Sequence, residues 1–221
     1  MKIITSLFLT LITINSFAQK EERDNGAGQI EFGTRTSISL FDDHLFPGIG
    51  YGGQFRIRVN NRINTEWYGD YIKTDIGGLG TRQTAHIGWS VTFSPIEKSL
   101  TKNSFIPYFI AGHCFDYASV SSNLYGDGLR NQQQRLTTAV QMGIGATYYL
   151  GDRVNLALST QYMYHIGKDL HVEVVKTGHP TDEHPDYGED YLIIEDGHGA
   201  VLEGHLLTTL SLNVLLFDFV K

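Results

Sequence analysis

The sequence predicts an all-β fold, with eight antiparallel strands closing in chain order into an up-and-down barrel. Three observations carry this expectation. Every ordered-looking stretch after the N-terminal segment alternates with period two, and none has the roughly 3.6-residue recurrence of an amphipathic helix. Eight such stretches are enough to close a sheet on itself and so remove its exposed edges. The single cysteine, Cys114, excludes an intrachain disulfide framework, a cysteine-based zinc cluster and a CxxC redox motif.

The composition narrows the class further. Of the 221 residues 19% are charged, against about 25% in a typical soluble domain, and 24 glycines, 12 tyrosines and 12 phenylalanines stand out. A formal charge of -7 argues against nucleic-acid binding, because phosphate affinity comes mainly from Lys and Arg. The N-terminus reads as an address. Lys2, the apolar run Ile3 to Ile14, and small residues at Ser16 and Ala18 form a secretory signal peptide over residues 1–18, cleaved before Gln19. The apolar run is about 12 residues where a membrane-spanning helix needs about 20. No cysteine follows the cleavage site, so this is not a lipoprotein signal. Residues 19–27 then form a polar periplasmic lead-in.

In the first strand, Gln29 to Phe41, Ile30, Phe32, Thr34, Thr36, Ile38 and Leu40 share one face, and Glu31, Gly33, Arg35, Ser37 and Ser39 the other. The second, Ile49 to Val59, sets Tyr51, Phe55 and Ile57 against Gln54, Arg56 and Arg58. After a turn at Asn60, Asn61 and Arg62, the third sets Ile63, Thr65, Trp67 and Tyr71 against Glu66, Tyr68 and Asp70. The glycine-rich loop Asp75 to Gly80 leads to the fourth, where Ala85, Ile87, Trp89, Val91 and Phe93 oppose Arg82, Thr84, His86 and Ser90. The fifth, about Phe105 to Tyr117, is apolar on both faces, and periodicity does not orient it. The sixth, Leu136 to Leu150, opposes Val140, Met142, Ile144 and Tyr148 to Gln141 and Thr147. Gly151, Asp152 and Arg153 turn into the seventh, with Leu156, Leu158, Tyr162 and Tyr164 opposite Asn155, Ser159, Gln161 and His165. The eighth sets Leu206, Leu210, Leu212, Val214 and Leu216 against Thr209, Ser211 and Asn213.

The charges distinguish the two faces of this sheet. Glu31, Arg35, Arg56, Arg58, Glu66, Asp70, Arg82 and His86 all fall on one, while the other is nearly free of charge. A charge at mid-membrane on a barrel's lipid face costs about 2–4 kcal/mol, so the pattern suits an apolar exterior around a polar interior, a transmembrane β-barrel. On the apolar face Phe32, Trp67, Trp89, Phe93 and Tyr148 lie towards one rim, and Tyr51, Tyr71, Tyr162 and Tyr164 towards the other. Two aromatic girdles are expected at the two membrane interfaces. A secreted lipocalin-like barrel with an apolar cavity is the competing geometry.

Longer connections tend to fall on one rim and tight turns on the other. Together with the export signal, this pattern resembles the small eight-stranded outer-membrane barrels of Gram-negative bacteria, the class of the OmpA transmembrane domain and OmpX. The resemblance covers residues 28–221. It implies that the long loops, 118–135 and 167–204, face outward, and that outer-membrane lipid and lipopolysaccharide surround the wall of a monomer. The leader's ending, Phe17, Ala18, Gln19, is similar to those of Bacteroidetes outer-membrane proteins. In this class an aromatic residue usually closes the last strand. Here Phe217 or Phe219 takes that place ahead of Val220 and Lys221.

An eight-stranded barrel is narrow, so four arginines facing three carboxylates are expected to form an ion-paired plug, with a gated or narrow pore as the alternative. The segment Lys168 to His205 holds ten acidic residues against Lys168 and Lys176, a formal charge of -8, and the rest of the mature chain is close to neutral. Within it His179, Asp182, His184 and Asp186 are weak candidates for a divalent cation, with a solvated acidic loop the plainer reading, since no calcium-loop or HExxH motif is present. An extracellular protein is the other partner such a loop could take. Val172, Val174 and Val175 with Tyr191 to Ile194 point to a projecting hairpin suited to edge pairing. Some barrels of this size are lipid A deacylases that carry a His-x-Ser pair. His165 is followed by Ile166 and Gly167, and His113 by Cys114 and Phe115, so that pair is absent. The sequence gives no catalytic residue and no cofactor. It points to envelope structure or surface binding, with a lipid A-modifying enzyme as the remote alternative.

Overall fold

The computed structural model describes residues 27–41, 46–96, 102–123, 132–175 and 191–219. Every regular element among them is a strand: β1 (Gln29–Phe41), β2 (Pro47–Arg58), β3 (Ile63–Asp75), β4 (Gly80–Phe93), β5 (Phe105–Ser122), β6 (Gln132–Tyr149), β7 (Val154–Val175) and β8 (Tyr191–Asp218). Each pairs antiparallel with its chain neighbours, and β1 pairs with β8 from Gln29↔Asp218 to Phe41↔His205, so the sheet is a closed barrel.

Closure turns the usual burial pattern inside out. Phe32, Tyr51, Phe109 and Leu136 on the outer wall are 53%, 70%, 56% and 74% exposed, while Glu31, Arg35 and Asp70 on the inner wall are 4% exposed each. This follows from the period of two: one face of most strands carries aliphatic and aromatic side chains, and the other carries the polar ones. The wall is tight enough that glycine is required at some inner positions. A Cβ at Gly52 would lie 2.1 Å from Asp70 Oδ1, so the glycine makes room for the carboxylate beside it.

The structure orients β5, whose periodicity is ambiguous. Ile106, Tyr108, Ile110, Cys114, Asp116, Ala118 and Val120 point inward and are buried, while Phe105, Phe109, Phe115 and Tyr117 are exposed on the outer wall. The connections differ from the expected bounds. The stretches 118–135 and 167–204 both begin and end in strand: β5 runs on to Ser122, β6 starts at Gln132, β7 continues to Val175 and β8 begins at Tyr191. Val172↔Ile194 and Val174↔Leu192 pair as the hairpin that their alternation indicates. The glycine-rich loop between β3 and β4 is a tight turn in which Gly77 and Gly78 take φ of 60° and 77°, and Asp75 Oδ1 accepts a hydrogen bond from Gly78 N at 2.8 Å.

At the tight-turn rim Asn60 Oδ1 accepts from the backbone N–H groups of Arg62 and Ile63, each at 2.8 Å. The opposite rim is where the sheet divides. In the described pairings β6 leaves β7 at Thr138↔Ile166 and β1 leaves β8 at Phe41↔His205. Beyond those points β7 and β8 pair with each other. Their inner face contributes Leu170, Val172, Leu192 and Ile194 to an apolar cluster with Ile76, Ala118 and Val120, so the hairpin lies across the mouth.

Candidate functional site

The barrel interior carries the polar chemistry, and it is layered. Nearest the tight turns, Arg56 lies between two carboxylates, with Nη1 3.1 Å from Glu31 Oε2 and Nη2 2.6 Å from Glu66 Oε1. The register produces this arrangement, because Glu31↔Arg56 and Arg56↔Glu66 are direct partners across β1, β2 and β3. Asn155 Nδ2 donates to the other Glu31 oxygen at 3.0 Å, and Asn213 Nδ2 to Asn155 Oδ1 at 2.9 Å. Among the described residues Arg58 meets no carboxylate. It donates to the Tyr149 hydroxyl, reaching from β2 to β6 across the lumen.

One layer up, Arg35 Nε is 3.1 Å from Asp70 Oδ1 and its Nη1 donates to Gln54 Oε1 at 3.1 Å. The guanidinium lies 4.3 Å from the centre of the Tyr68 ring, and Tyr68 donates to Gln141 Oε1 at 2.7 Å, tying β3 to β6. Buried Cys114 packs here with Tyr68, Ile72, Ala139, Met163 and Leu207.

Below the mouth the structure assembles a group that sequence reasoning leaves scattered. Asp116, 0% exposed, is 2.9 Å from His165 Nδ1, 3.4 Å from His86 Nε2 and 3.8 Å from Arg135 Nη2. His165 Nε2 and His205 Nδ1 share a hydrogen bond at 2.7 Å, and the His86 ring stacks on His205 with centroids 5.5 Å apart. Arg82 joins from β4, donating Nη2–H to the Leu170 carbonyl of the hairpin at 3.4 Å.

All eight interior candidates are thus buried, but they do not form one network. Glu31, Arg56 and Glu66 come together, and Arg35 pairs with Asp70. Arg58, Arg82 and His86 find other partners. Asp116, Arg135, His165 and His205 are additions. The weak metal candidates His179, Asp182, His184 and Asp186 lie outside the described residues, as does the leader 1–18. Among the described residues no group of three or more His, Cys, Asp or Glu is arranged to hold a metal ion.

No protein-family model matches the sequence, and no curated protein matches it. In fold it is similar to several solved structures. Neisserial surface protein A (NspA) superposes at a TM-score of 0.54 with 12% identity, over 85% of this chain and 96% of that one. The outer membrane protein OprG from Pseudomonas aeruginosa gives 0.51 and 12%, over 89% and 100%. A major outer membrane protein from Thermus thermophilus gives 0.50 and 11%, over 85% and 99%. The fold of this chain is therefore that of the small eight-stranded outer-membrane barrels.

Proposed function

We propose that the chain is an integral outer-membrane barrel of a Gram-negative envelope, exported with a cleaved leader, filled rather than open, and not an enzyme. The observation that carries this reading is the inverted burial, with ionisable side chains inside and aromatic and aliphatic ones outside, which suits lipid and not water as the surrounding medium. Cross-lumen bonds such as Arg58 to Tyr149 and Tyr68 to Gln141 support a filled interior, since each occupies the path a solute would take. On the outer wall a groove of 430 Å³, lined by Phe105, Ile144, Tyr148, Leu158 and Leu210, has the size and polarity to seat an acyl chain.

Its role is then exercised at the surface, in envelope structure or in binding. The β7–β8 hairpin supports the binding arm, because beyond Ile166 on β7 and before His205 on β8 the described pairings join its strands to each other and not to β6 or β1. Edge pairing with an extended protein segment is the recognition mode such strands offer. The acidic sequence between the two strands would favour a basic partner or a divalent cation.

Membrane fractionation with heat-modifiable gel migration, followed by planar-bilayer recording, tests the proposal. We expect outer-membrane partition, faster migration of the unboiled chain and no stepwise conductance above background. Steady unitary currents would replace the filled barrel with a narrow pore, and a detergent-independent soluble monomer would remove the membrane reading altogether.

A further inference from the structure

We propose that the outer-wall groove over β5 to β8 is a phospholipid site, which holds one acyl chain of the leaflet at the tight-turn rim with its phosphodiester beside Lys102 and Asn103. The proposal rests on the membrane reading above, since it takes the outer wall to face lipid. The shape of the wall is the first argument. Pro107 and Ala146, two small residues of the lining, are register partners, and the rows on either side of them carry the bulkier Phe105 with Tyr148 and Phe109 with Ile144. A low pair between taller rows makes a depression, which Leu158 and Leu210 continue onto β7 and β8 in the same row. The described pairing of β4 with β5 ends at Phe93↔Phe109. Pro107 beyond it has no N–H to satisfy, and its carbonyl accepts from Ser94 Oγ at 2.9 Å, so the floor at this point needs no further strand to cover it.

The second argument is length and polarity. Along β7 the lining runs from Leu156 to Thr160, about 14 Å at roughly 3.4 Å per residue, while the hydrocarbon core of a bilayer is about 30 Å thick. The groove therefore matches an acyl chain of one leaflet. The row of Phe105, Tyr148 and Leu156 is the one next to the turn at Gly151, Asp152 and Arg153, so that leaflet is the one at the tight-turn rim and not the one at the mouth. At the far end the Thr160 hydroxyl is hydrogen-bonded to that of Thr208 at 3.2 Å, which leaves the lining to present carbon.

The third is the rim. Tyr148 donates its hydroxyl to Asn103 Oδ1 at 3.1 Å, and Asn103 is the one non-glycine residue with a positive φ, 66°, among the described residues. Asparagine adopts that conformation more readily than most side chains do. Its backbone is fixed in turn, because Asn103 N donates to the Tyr149 carbonyl at 2.8 Å and Tyr149 N to the Ser104 carbonyl at 3.0 Å. The Tyr148 ring is thus held at the groove's entrance with its polar edge at head-group level, where amphipathic rings are favoured. With Oδ1 occupied, exposed Asn103 offers Nδ2–H to a phosphate or ester oxygen, and exposed Lys102 beside it offers a charge-assisted bond. Asp152 and Arg153 on the neighbouring turn carry opposite charges, so Lys102 supplies the net positive charge of the two described segments that flank the groove, 102–104 and 150–154.

Native mass spectrometry of the full chain, released from mild detergent after purification from bacterial membranes, reads bound lipid directly. We expect chains that carry one phospholipid. Ala146→Phe, which fills the low row, should lower their share about tenfold, the loss expected when about two methylene groups are no longer buried. Lys102→Glu should lower it about threefold, the size of an exposed charge contact. Thr34→Phe adds comparable bulk to the outer wall away from the groove and should leave the share unchanged. Where heat-modifiable migration shows Ala146→Phe unfolded, Leu158→Trp serves instead, with the same loss expected. Retention undiminished by the filled groove, or an adduct with the mass of lipopolysaccharide, would overturn the site. A chain that partitions with outer membranes and migrates heat-modifiably but keeps no phospholipid overturns this site alone, whereas a detergent-independent soluble chain removes the membrane reading with it.

Discussion

The two ends of the barrel interior are built from different chemistry. At the tight-turn end Arg56 is matched by Glu31 and Glu66, and the layer is braced by Asn155 and Asn213. At the mouth the polar groups include three histidines, Asp116, Arg82 and Arg135, and the cover above them is the apolar face of a hairpin that has left the barrel on both sides in the described pairings. One end is a permanent brace, joined by strand register to its immediate neighbours. The other is held in part by contacts between strands that are not hydrogen-bonded neighbours in the sheet, His165 to Asp116 and His86 to His205. The two ends of such a barrel therefore need not be equally rigid.

The largest effect should come from breaking the brace. Arg56→Ala leaves Glu31 and Glu66 buried without their cation, and removing one partner of a buried ion pair typically costs about 3–5 kcal/mol. Urea unfolding in detergent, followed by the fluorescence of Trp67 and Trp89, should show the whole transition move to lower denaturant. If the midpoint stayed in place, the paired layer would not be what holds the barrel together.

A smaller and more local effect is expected at the mouth. Leu192 is 2% exposed in the apolar cluster, and truncating a buried leucine costs about 2–5 kcal/mol at its own site. Because the described pairings of the hairpin with β6 and β1 end at Ile166 and His205, Leu192→Ala should accelerate hydrogen exchange in residues 170–174 while leaving the global urea midpoint almost unchanged. A shift of that midpoint as large as the one from Arg56→Ala would erase the distinction between the two ends.

Much of the brace can be read from the sequence, and little of the mouth can. Glu31, Arg56 and Glu66 sit on strands whose other face is plainly apolar, so alternation alone places them inside. Asp116 does not stand out, because β5 is apolar on both faces and only pairing with β4 determines which one turns inward. His165 shares a face with Gln161 and Ser159, yet no local signal ties it to a carboxylate 49 positions earlier in the chain. His205 and Arg135 fall in stretches whose composition reads as loop, although both lie within strands. A usable clue is the parity of the histidines. His86 and His165 occupy inward positions on strands whose polar faces hold few other titratable groups. The tight β3–β4 turn shows a further limit, since glycines that permit a long loop equally permit a short one with positive φ.

The central claim is that the apolar face meets lipid and the charged face does not. Both tryptophans of the chain test it, because Trp67 and Trp89 are adjacent register partners on the outer wall, 45% and 47% exposed. With the protein folded into vesicles whose lipids carry bromine on their acyl chains, tryptophan emission should be strongly quenched, and a water-soluble quencher should have little effect. Emission that is quenched by the aqueous agent but indifferent to brominated lipid would contradict the account.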